Sequence, residues 1–437
     1  MKYLLILLLC GFISFSCKES ADIEKEKSIE ISASQLRKHV DKLASDEFEG
    51  RGAGYRGEKE AAKYIAGVFK ELKLEPPQKI HNTYEDYFQK FDFHTVTSSN
   101  PWEILSSQNV VGFIKGESLN EFIVIGGHHD GQGAKGQAML GRDAPESEAT
   151  DSIAAFEDTI WNSAVDNAVS IAVIMEIARV LKESNAKLKR SIIFTTFSAE
   201  ENGLDGSVYF VNHPVVPKQE IKGMVNLEKI VGDPDAEFLY VSYSTNPIFE
   251  EIRKSMDTLS AIKMTPFYPG MIANTDHYPF TQRSIPAITV GTGSRINVHT
   301  PLDHADRLDY DLLKDRSEYI LDYVTQLINS DSDFSYEGDN SGLLGVAGGP
   351  ATPEEKLSKD FDGEVAYKVT SVIKDSRGYA AGLIPGDLIV AIDNQPIKYQ
   401  KFYQGLEDVI GDPDKKTSVL KIIRGDQVVL TSIKVFE

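Results

Sequence analysis

The sequence predicts an α/β fold with a mostly parallel central sheet, helices on both faces, and a second, small β-rich domain. Beyond residue 122, short apolar runs alternate with amphipathic helical patterns. This alternation is typical of parallel strands joined by helices. A polar, glycine-rich stretch at 331–341 then indicates a linker. With 437 residues, the chain is long enough for one large domain and one small domain.

The composition indicates an acidic protein that does not bind nucleic acid. The formal net charge is −20, from 46 basic and 66 acidic residues. Nucleic-acid binding needs a basic surface, so we exclude that class of function. We interpret the acidic excess as a solvated surface.

The N-terminus predicts export. Lys2 precedes an apolar stretch at 4–15 that is too short to span a bilayer, so residues 1–16 are predicted to be a signal peptide. The pair Ser16-Cys17 resembles the bacterial lipoprotein cleavage site, which implies lipid on Cys17. Plain secretion and an uncleaved signal anchor are the alternatives. Residues 17–33 are then a tether, and the expected location is the bacterial cell envelope, with membrane contact only through the lipid.

The predicted catalytic domain, residues 34–330, begins with two helical patterns at 34–44 and 57–74. The glycine-rich connection at 49–54 is predicted to be a turn, because no strand precedes it as in a dinucleotide-binding loop. Strands are predicted at 122–125, 191–197, 224–227, 238–243 and 287–290. Further helices are predicted at 167–182, 246–259 and 311–328.

Several predicted strands are followed by possible metal ligands. In parallel sheets, ligands bind at the carboxyl ends of the strands. Taken singly, these side chains have ordinary explanations, such as a solvated turn or a helix N-cap. Their joint occurrence favours one cluster of imidazole and carboxylate groups, a ligand set that zinc accepts. The candidate ligands are His128, Asp166, Glu201, Glu228 and His299.

These segments resemble the di-zinc aminopeptidase family, which includes bacterial leucyl aminopeptidase, aminopeptidase S, plasma glutamate carboxypeptidase and the glutaminyl cyclases. The resemblance covers roughly residues 34–330 and implies a zinc-exopeptidase fold (phosphorylase/hydrolase-like). Five motifs carry it: His128-His129-Asp130, Asp166-Asn167-Ala168-Val169-Ser170, Glu200-Glu201-Asn202-Gly203-Leu204-Asp205-Gly206-Ser207, Thr275-Asp276-His277-Tyr278-Pro279-Phe280 and His299-Thr300-Pro301-Leu302-Asp303.

The resemblance implies a site for two zinc ions. Asp166 would bridge both ions. His128 and Glu228 would complete the coordination of one ion, and Glu201 and His299 would complete that of the other. The implied activity is a metallo-aminopeptidase that hydrolyses the N-terminal residues of peptides through a metal-bridged hydroxide.

The resemblance also implies roles for three carboxylates that do not bind metal. Glu200 would be the general base, which takes a proton from water and returns it to the leaving amine. Asp130 would contact the ligand His128 rather than the metal, and so would orient it. Asp276 would be a supporting residue of the site.

Three features depart from the family pattern. Glu228 replaces the usual Asp and is followed by Lys229, a cation that would compete with metal. Ile285 precedes Pro286, where some members have a Tyr that stabilises the oxyanion. The segment 131–161 is longer than expected and is predicted to form a lid or a pocket wall.

Two alternative functions stay open at this point. A glutaminyl cyclase has this fold with a single zinc ion, but the presence of His128 favours the two-metal peptidase. A catalytically inactive peptide-binding relative is the other alternative, and the presence of Glu200, the expected general base, disfavours it.

The C-terminal region, residues 342–437, resembles a PDZ domain. The loop at 342–346 is similar to the PDZ carboxylate-binding loop, and 375–387 and 389–397 continue the similarity. In such domains, backbone N–H groups capture a terminal carboxylate while the peptide adds as a strand. We therefore expect a C-terminal peptide as partner. An appendage packed on the catalytic domain is the alternative. The expected peptide-binding residues are Leu343, Leu344, Gly345 and Val346.

Overall fold

The structure is a computed structural model. It describes residues 29–77, 84–95, 103–134, 158–232, 235–241, 246–267, 275–294, 297–334, 346–351, 355–356, 361, 366–372, 376–397 and 417–434. The predicted signal peptide with Cys17, and Leu343, Leu344 and Gly345 of the predicted peptide-binding loop, lie outside the described residues.

The helices follow the apolar periodicity of the sequence. In α1, the side chains of Leu36, Val40 and Leu43 are buried at helical spacing, and the Ser32 hydroxyl accepts from the N–H of Gln35 to cap the helix. The described helices are α1 (Ala33–Leu43), α2 (Arg56–Glu71), α3 (Val169–Glu183), α4 (Glu200–Gly203), α5 (Asp205–Asn212), α6 (Pro247–Asp257), α7 (Tyr278–Thr281), α8 (Tyr310–Asn329) and α9 (Arg377–Ala380).

A nine-stranded sheet forms the centre of the large domain, in the order β1-β2-β3-β7-β4-β8-β11-β9-β10. A short antiparallel pair, β5 and β6, stands apart from it. These strands are β1 (Tyr84–Glu85), β2 (Phe88–Thr95), β3 (Glu103–Ile114), β4 (Ser118–His128), β5 (Gly133–Ala134), β6 (Ile160–Trp161), β7 (Arg190–Phe197), β8 (Ile221–Glu228), β9 (Phe238–Val241), β10 (Thr265–Phe267) and β11 (Ala287–Thr292).

The sheet is mixed rather than mostly parallel. Its four central strands, β7, β4, β8 and β11, pair in parallel, as the alternation of strands and helices predicts. The strand β3 pairs with β7 in antiparallel orientation, and so does β9 with β11. The strands β2 and β3, which the sequence analysis did not predict, form an antiparallel hairpin at one side.

Both faces of the central strands are buried. In β4, the side chains of Ile123 and Ile125 belong to the larger core cluster, beneath the helices α1, α2, α3 and α8. Val124 points to the opposite face and joins a second cluster with Phe197 and Phe280. Alternate side chains of a strand face opposite sides, so a strand covered on both faces is apolar throughout.

A separate antiparallel sheet forms the C-terminal region, as the sequence predicts. Val369, Ile389, Leu420 and Ile433 are fully buried in its core. Its strands are β12 (Val346–Pro350), β13 (Tyr367–Val372), β14 (Leu388–Ile392), β15 (Gln395–Pro396), β16 (Thr417–Arg424) and β17 (Gln427–Lys434).

Within the described part of the chain, every helix is too short or too polar to cross a bilayer.

Candidate metal centre

The carboxyl ends of the central strands bring the predicted ligands to one edge of the sheet. β4 ends at His128 and β8 ends at Glu228. β7 leads into α4, whose first two residues are Glu200 and Glu201. The loop after β11 carries His299. Because these strands run in parallel, their C-terminal ends meet.

Asp166 reaches the same position from the start of α3. The sequence predicts a helix from residue 167, whereas α3 begins at Val169 and a wider turn covers Ala164–Ala168. Asp303 fixes this turn, because its carboxylate accepts from the N–H groups of Val165 (2.8 Å) and Asp166 (3.2 Å). The Asp166 side chain is thereby held in place before the helix begins.

The structure brings all five predicted ligands together as two groups that share Asp166. In the first group, Nε2 of His128 lies 3.1 Å from Oδ1 of Asp166 and 3.3 Å from Oε1 of Glu228. In the second group, Nε2 of His299 lies 3.1 Å from Oδ2 of Asp166 and 3.2 Å from Oε1 of Glu201. One carboxylate oxygen of Asp166 therefore belongs to each group.

The spacing of these atoms fits coordinated cations. Nitrogen and oxygen ligands about 2.0–2.1 Å from a tetrahedral zinc ion lie roughly 3.3 Å from one another. Oδ1 of Asp166 is buried and accepts no hydrogen bond from the described residues, although Nε2 of His128 is only 3.1 Å away. Two ligand atoms directed at a common ion produce this arrangement. The donor set of two imidazoles and three carboxylates is one that zinc accepts.

The electrostatics of the site also favour cations. Although burial opposes it, the carboxylates of Glu228 and Glu200 hold the pKa of His128 well above its usual range. Burial likewise opposes the shift at His299, where Glu201 and Asp166 raise the pKa to about 10. Buried carboxylates that lack a cation are costly. The site therefore favours positive charge strongly.

Glu200 lies beside the first group without belonging to it. Its Oε2 is 4.0 Å from Nε2 of His128. Burial raises the pKa of Glu200 well above its usual range, and the carboxylates of Glu201 and Glu228 add to this shift. Glu200 is thus suited to hold a proton at the site.

Asp130 connects the ligand at the end of β4 with those of α4. Its carboxylate accepts from the N–H groups of Glu200 and Glu201, each at 3.2 Å. The same carboxylate lies 3.4 Å from Nδ1 of His128, and the Asp130 carbonyl oxygen lies 3.2 Å from that nitrogen. The role predicted for Asp130 was to orient His128, and the structure adds the anchoring of α4.

Asp276, predicted to support the site, belongs to neither ligand group. It is fully buried, and burial raises its pKa to about 7.

Lys229, the cation expected to compete with metal, contacts one ligand atom of each group. Its Nζ is 3.3 Å from Oε1 of Glu228 and 3.6 Å from Oδ2 of Asp166. Although burial opposes it, Lys229, together with His128 and His299, holds the pKa of Asp166 well below its usual range.

Sequence reasoning missed the role of Asn167. Its side-chain amide donates to the carbonyl of Leu227 (3.0 Å), and its Oδ1 accepts from the N–H of Lys229 (2.9 Å). These two bonds hold the backbone on either side of Glu228, so Asn167 positions that ligand relative to Asp166. In the sequence, the only indication of this role is that Asn167 directly follows Asp166. The fold shows that the end of β8 lies beside Asn167.

The remaining predicted features are partly described. Of the predicted lid at 131–161, residues 135–157 lie outside the described part, and β5 pairs with β6 at its two ends.

Val346, the last residue of the predicted peptide-binding loop, begins β12, and its carbonyl accepts from the Gln282 amide at 2.9 Å. Gln282 directly follows α7, so this bond joins the small sheet to the catalytic domain.

Two segments of this chain match known domain families. Residues 109–324 match peptidase family M28, and residues 368–420 match the PDZ domain. The chain is 31% identical over 183 residues to endoplasmic reticulum metallopeptidase 1 of Homo sapiens, which covers 40% of this chain and 20% of that protein. The chain therefore spans about a fifth of the length of this relative.

Among solved structures, two proteins of Bacteroides thetaiotaomicron have a similar fold. A leucine aminopeptidase precursor superposes with a TM-score of 0.52 at 18% identity, over 70% of this chain and 99% of that one. A glutaminyl cyclase bound to N-acetylhistamine also gives 0.52 at 18% identity, over 70% of this chain and 100% of that one. At these identities the likeness establishes the fold and does not separate the two activities.

Proposed function

For a chain that carries a peptidase family M28 domain followed by a PDZ domain, we propose a zinc-dependent exopeptidase that removes N-terminal residues from peptides in the cell envelope. The observation that carries this proposal is the pair of three-ligand groups that share Asp166, with the Glu200 carboxylate at their side.

The five ligands would hold two zinc ions, which, when bound, supply Lewis acidity at the substrate carbonyl and lower the pKa of water. The chain itself supplies the proton carrier. Glu200 is 4.0 Å from the ligand His128 but is absent from both ligand groups, so its carboxylate stays available for proton transfer. It would take a proton from the attacking water and deliver it to the leaving amine.

The second metal ion would support cleavage at the N-terminus. The carboxylates of Asp166, Glu200, Glu201 and Glu228 lie close together and are largely buried, and two zinc ions would balance their charges. A free α-amino group of the substrate would then bind near the second ion, which would restrict cleavage to the first residue.

A single-zinc glutaminyl cyclase is the rival, because its fold is matched equally well. The second ligand group favours the peptidase. The deciding experiment measures metal per chain by elemental analysis, together with hydrolysis of a panel of aminoacyl fluorogenic substrates with and without chelator. Two ions and chelator-sensitive release of N-terminal residues support the proposal. One ion, with cyclisation of N-terminal glutamine, would overturn it in favour of the cyclase.

We also propose that the protein is exported and anchored by lipid on Cys17, on the sequence pattern at 1–17. Fractionation of a Cys17→Ser variant tests the anchor. Release from the membrane fraction is expected, and unchanged fractionation would refute lipid at this position.

We further propose that the PDZ domain binds the C-terminus of a peptide along β12, an edge strand of its sheet. Titration of the full chain with a peptide and its C-terminally amidated form tests this. Loss of binding on amidation is expected.

A further inference from the structure

Arg51 is a fully buried arginine in the glycine-rich connection that the sequence predicted only as a turn. Its backbone has φ of 56°, in the left-handed region, and follows Gly50 at 68°. A Cβ at Gly50 would come within 2.4 Å of the carbonyl oxygen of Trp161. This tight turn directs the Arg51 side chain into the protein rather than to the surface.

The guanidinium of Arg51 joins three segments of backbone. It donates to the carbonyls of His129 (2.8 Å), Leu43 (2.6 Å), Asn162 (2.8 Å) and Ser163 (2.7 Å). One segment is the end of α1. The other two are the chain next to His128 and the chain that leads into Asp166.

The same connection is bonded through its backbone as well. The carbonyl of Arg51 accepts from the N–H of Gly131 at 3.1 Å, and Gly52 forms a β-bridge with Gly131. On its other side, the turn that carries Asp166 is held by the Asp303 carboxylate, which accepts the N–H groups of Val165 and Asp166. In the segment that leads into Asp166, Arg51 therefore donates to the carbonyls at 162 and 163, and the Asp303 carboxylate accepts from the amides at 165 and 166.

The four hydrogen bonds and the nearby carboxylates together make the charge of Arg51 compatible with full burial. Burial lowers the pKa of Arg51 to about 10, and Asp303, Asp130 and Asp166 oppose this shift, so the guanidinium is charged at neutral pH. A lysine at this position has a single ammonium group and cannot reproduce the planar set of bonds to separate carbonyls. The geometry of the bonds, rather than the charge alone, depends on arginine.

We propose that Arg51 is a positioning residue of the metal centre: by joining the segment beside His128 to the segment before Asp166, it sets the spacing of these two ligands before metal binds. This inference rests on the proposed metal site but not on the reaction performed there. Residues that orient metal ligands typically change metal affinity 10–100-fold when they are replaced.

The test compares Arg51→Lys and Arg51→Gln with Arg190→Lys in the full chain. Arg190 is a matched control, because it is also buried and donates to backbone carbonyls, those of Ile328, Ser330 and Ser332. It lies at the opposite end of β7 from the metal centre. Cobalt(II) titration, followed by the visible absorption of the bound ion, reports affinity and ligand geometry. The thermal midpoint of each apoprotein reports stability.

All three variants are expected to lower the midpoint. Only the Arg51 variants should weaken cobalt binding, by about 10–100-fold, and alter the absorption bands, at a temperature where every variant is folded. Unchanged cobalt affinity and spectrum in folded Arg51→Lys would overturn the inference. Failure of the parent protein to bind cobalt would instead refute the proposed metal site.

If neither Arg51 variant folds, amide hydrogen exchange of the metal-free parent protein tests whether the spacing of the two ligands is set before metal binds. The positioning role requires the hydrogen-bonded amides of His129, Gly131, Ala164, Val165 and Asp166 to be protected before metal is added. Rapid exchange of these amides, with protection appearing only on metal addition, would contradict a spacing set in advance.

Discussion

The ammonium group of Lys229 lies 3.6 Å from the carboxylate of Asp166, the side chain common to both ligand groups. The contacted oxygen is Oδ2, which belongs to the second group. Lys229 also contacts Oε1 of Glu228, a ligand of the first group. A cation bound by either group therefore shares a ligand with this ammonium.

Lys229→Met should therefore tighten metal binding at both groups. Removing a positive charge this close to the metal removes repulsion, and we expect an affinity gain of about tenfold. Stepwise zinc titration by calorimetry measures it. Lys222→Met, a change of a partly buried lysine at the other end of β8, serves as the control. Equal affinity in all three proteins would show that Lys229 does not compete with metal.

Glu200→Gln should keep both metal ions and lose most activity, by about 10²–10⁴-fold, because it removes a proton carrier and no ligand. Glu201→Gln is the comparison, since Glu201 belongs to a ligand group and its replacement should lower metal content. Elemental analysis beside a fluorogenic aminopeptidase assay distinguishes them. A fall in metal content as large as that of Glu201→Gln would refute the role assigned to Glu200.

Glu228→Gln should reduce metal from two ions per chain to about one, because Glu228 serves only the first group. Glu228→Asp should stay active, since it keeps a carboxylate at the end of β8. Metal per chain and activity are measured together. One ion in the parent as well as in Glu228→Gln would contradict a two-metal centre.

A chain ended after Ser335 should fold and cleave a dipeptide-sized substrate. All five ligands precede this point, and Phe334, buried against Phe249, keeps the end of the catalytic domain packed. Its thermal midpoint should fall slightly, because the bond from Gln282 to Val346 is lost. A folded truncation that binds two metal ions but cleaves no small substrate would show that the PDZ domain takes part in the reaction.

His39 should make the protein less stable as pH falls from 6.5 to 4. Burial, with the positive charges of Lys38 and Arg179, lowers its pKa to about 4. The unfolded chain therefore binds the proton first, and stability present above pH 6.5 is lost as pH falls towards 4, by about 3 kcal/mol. The difference in thermal midpoint between parent and His39→Gln should change sharply across this window. A difference that is constant with pH would refute a buried neutral His39.

The central strands and most helices could be predicted from local pattern. β4 and β7 contain apolar runs, at 122–125 and 192–194, because both faces are covered there, and α1 has apolar residues at helical spacing. The hairpin of β2 and β3 was not predicted, since β2 mixes polar and apolar residues and only the end of β3, at 109–112, is a continuous buried run. The direction in which edge strands pair depends on long-range contacts that adjacent residues do not encode.

The chemistry of the site can be read from the sequence: which side chains are available as ligands, that Glu200 precedes a ligand, and that four of the five ligands follow predicted strands. The division of the ligands into two groups, with one oxygen of Asp166 in each and Lys229 in contact with both, depends on the fold. Arg51, Asn167 and Asp303 likewise acquired a role only in the fold. Their hydrogen bonds go to backbone groups far away along the chain, and a backbone carbonyl or amide is the same at every position of a sequence.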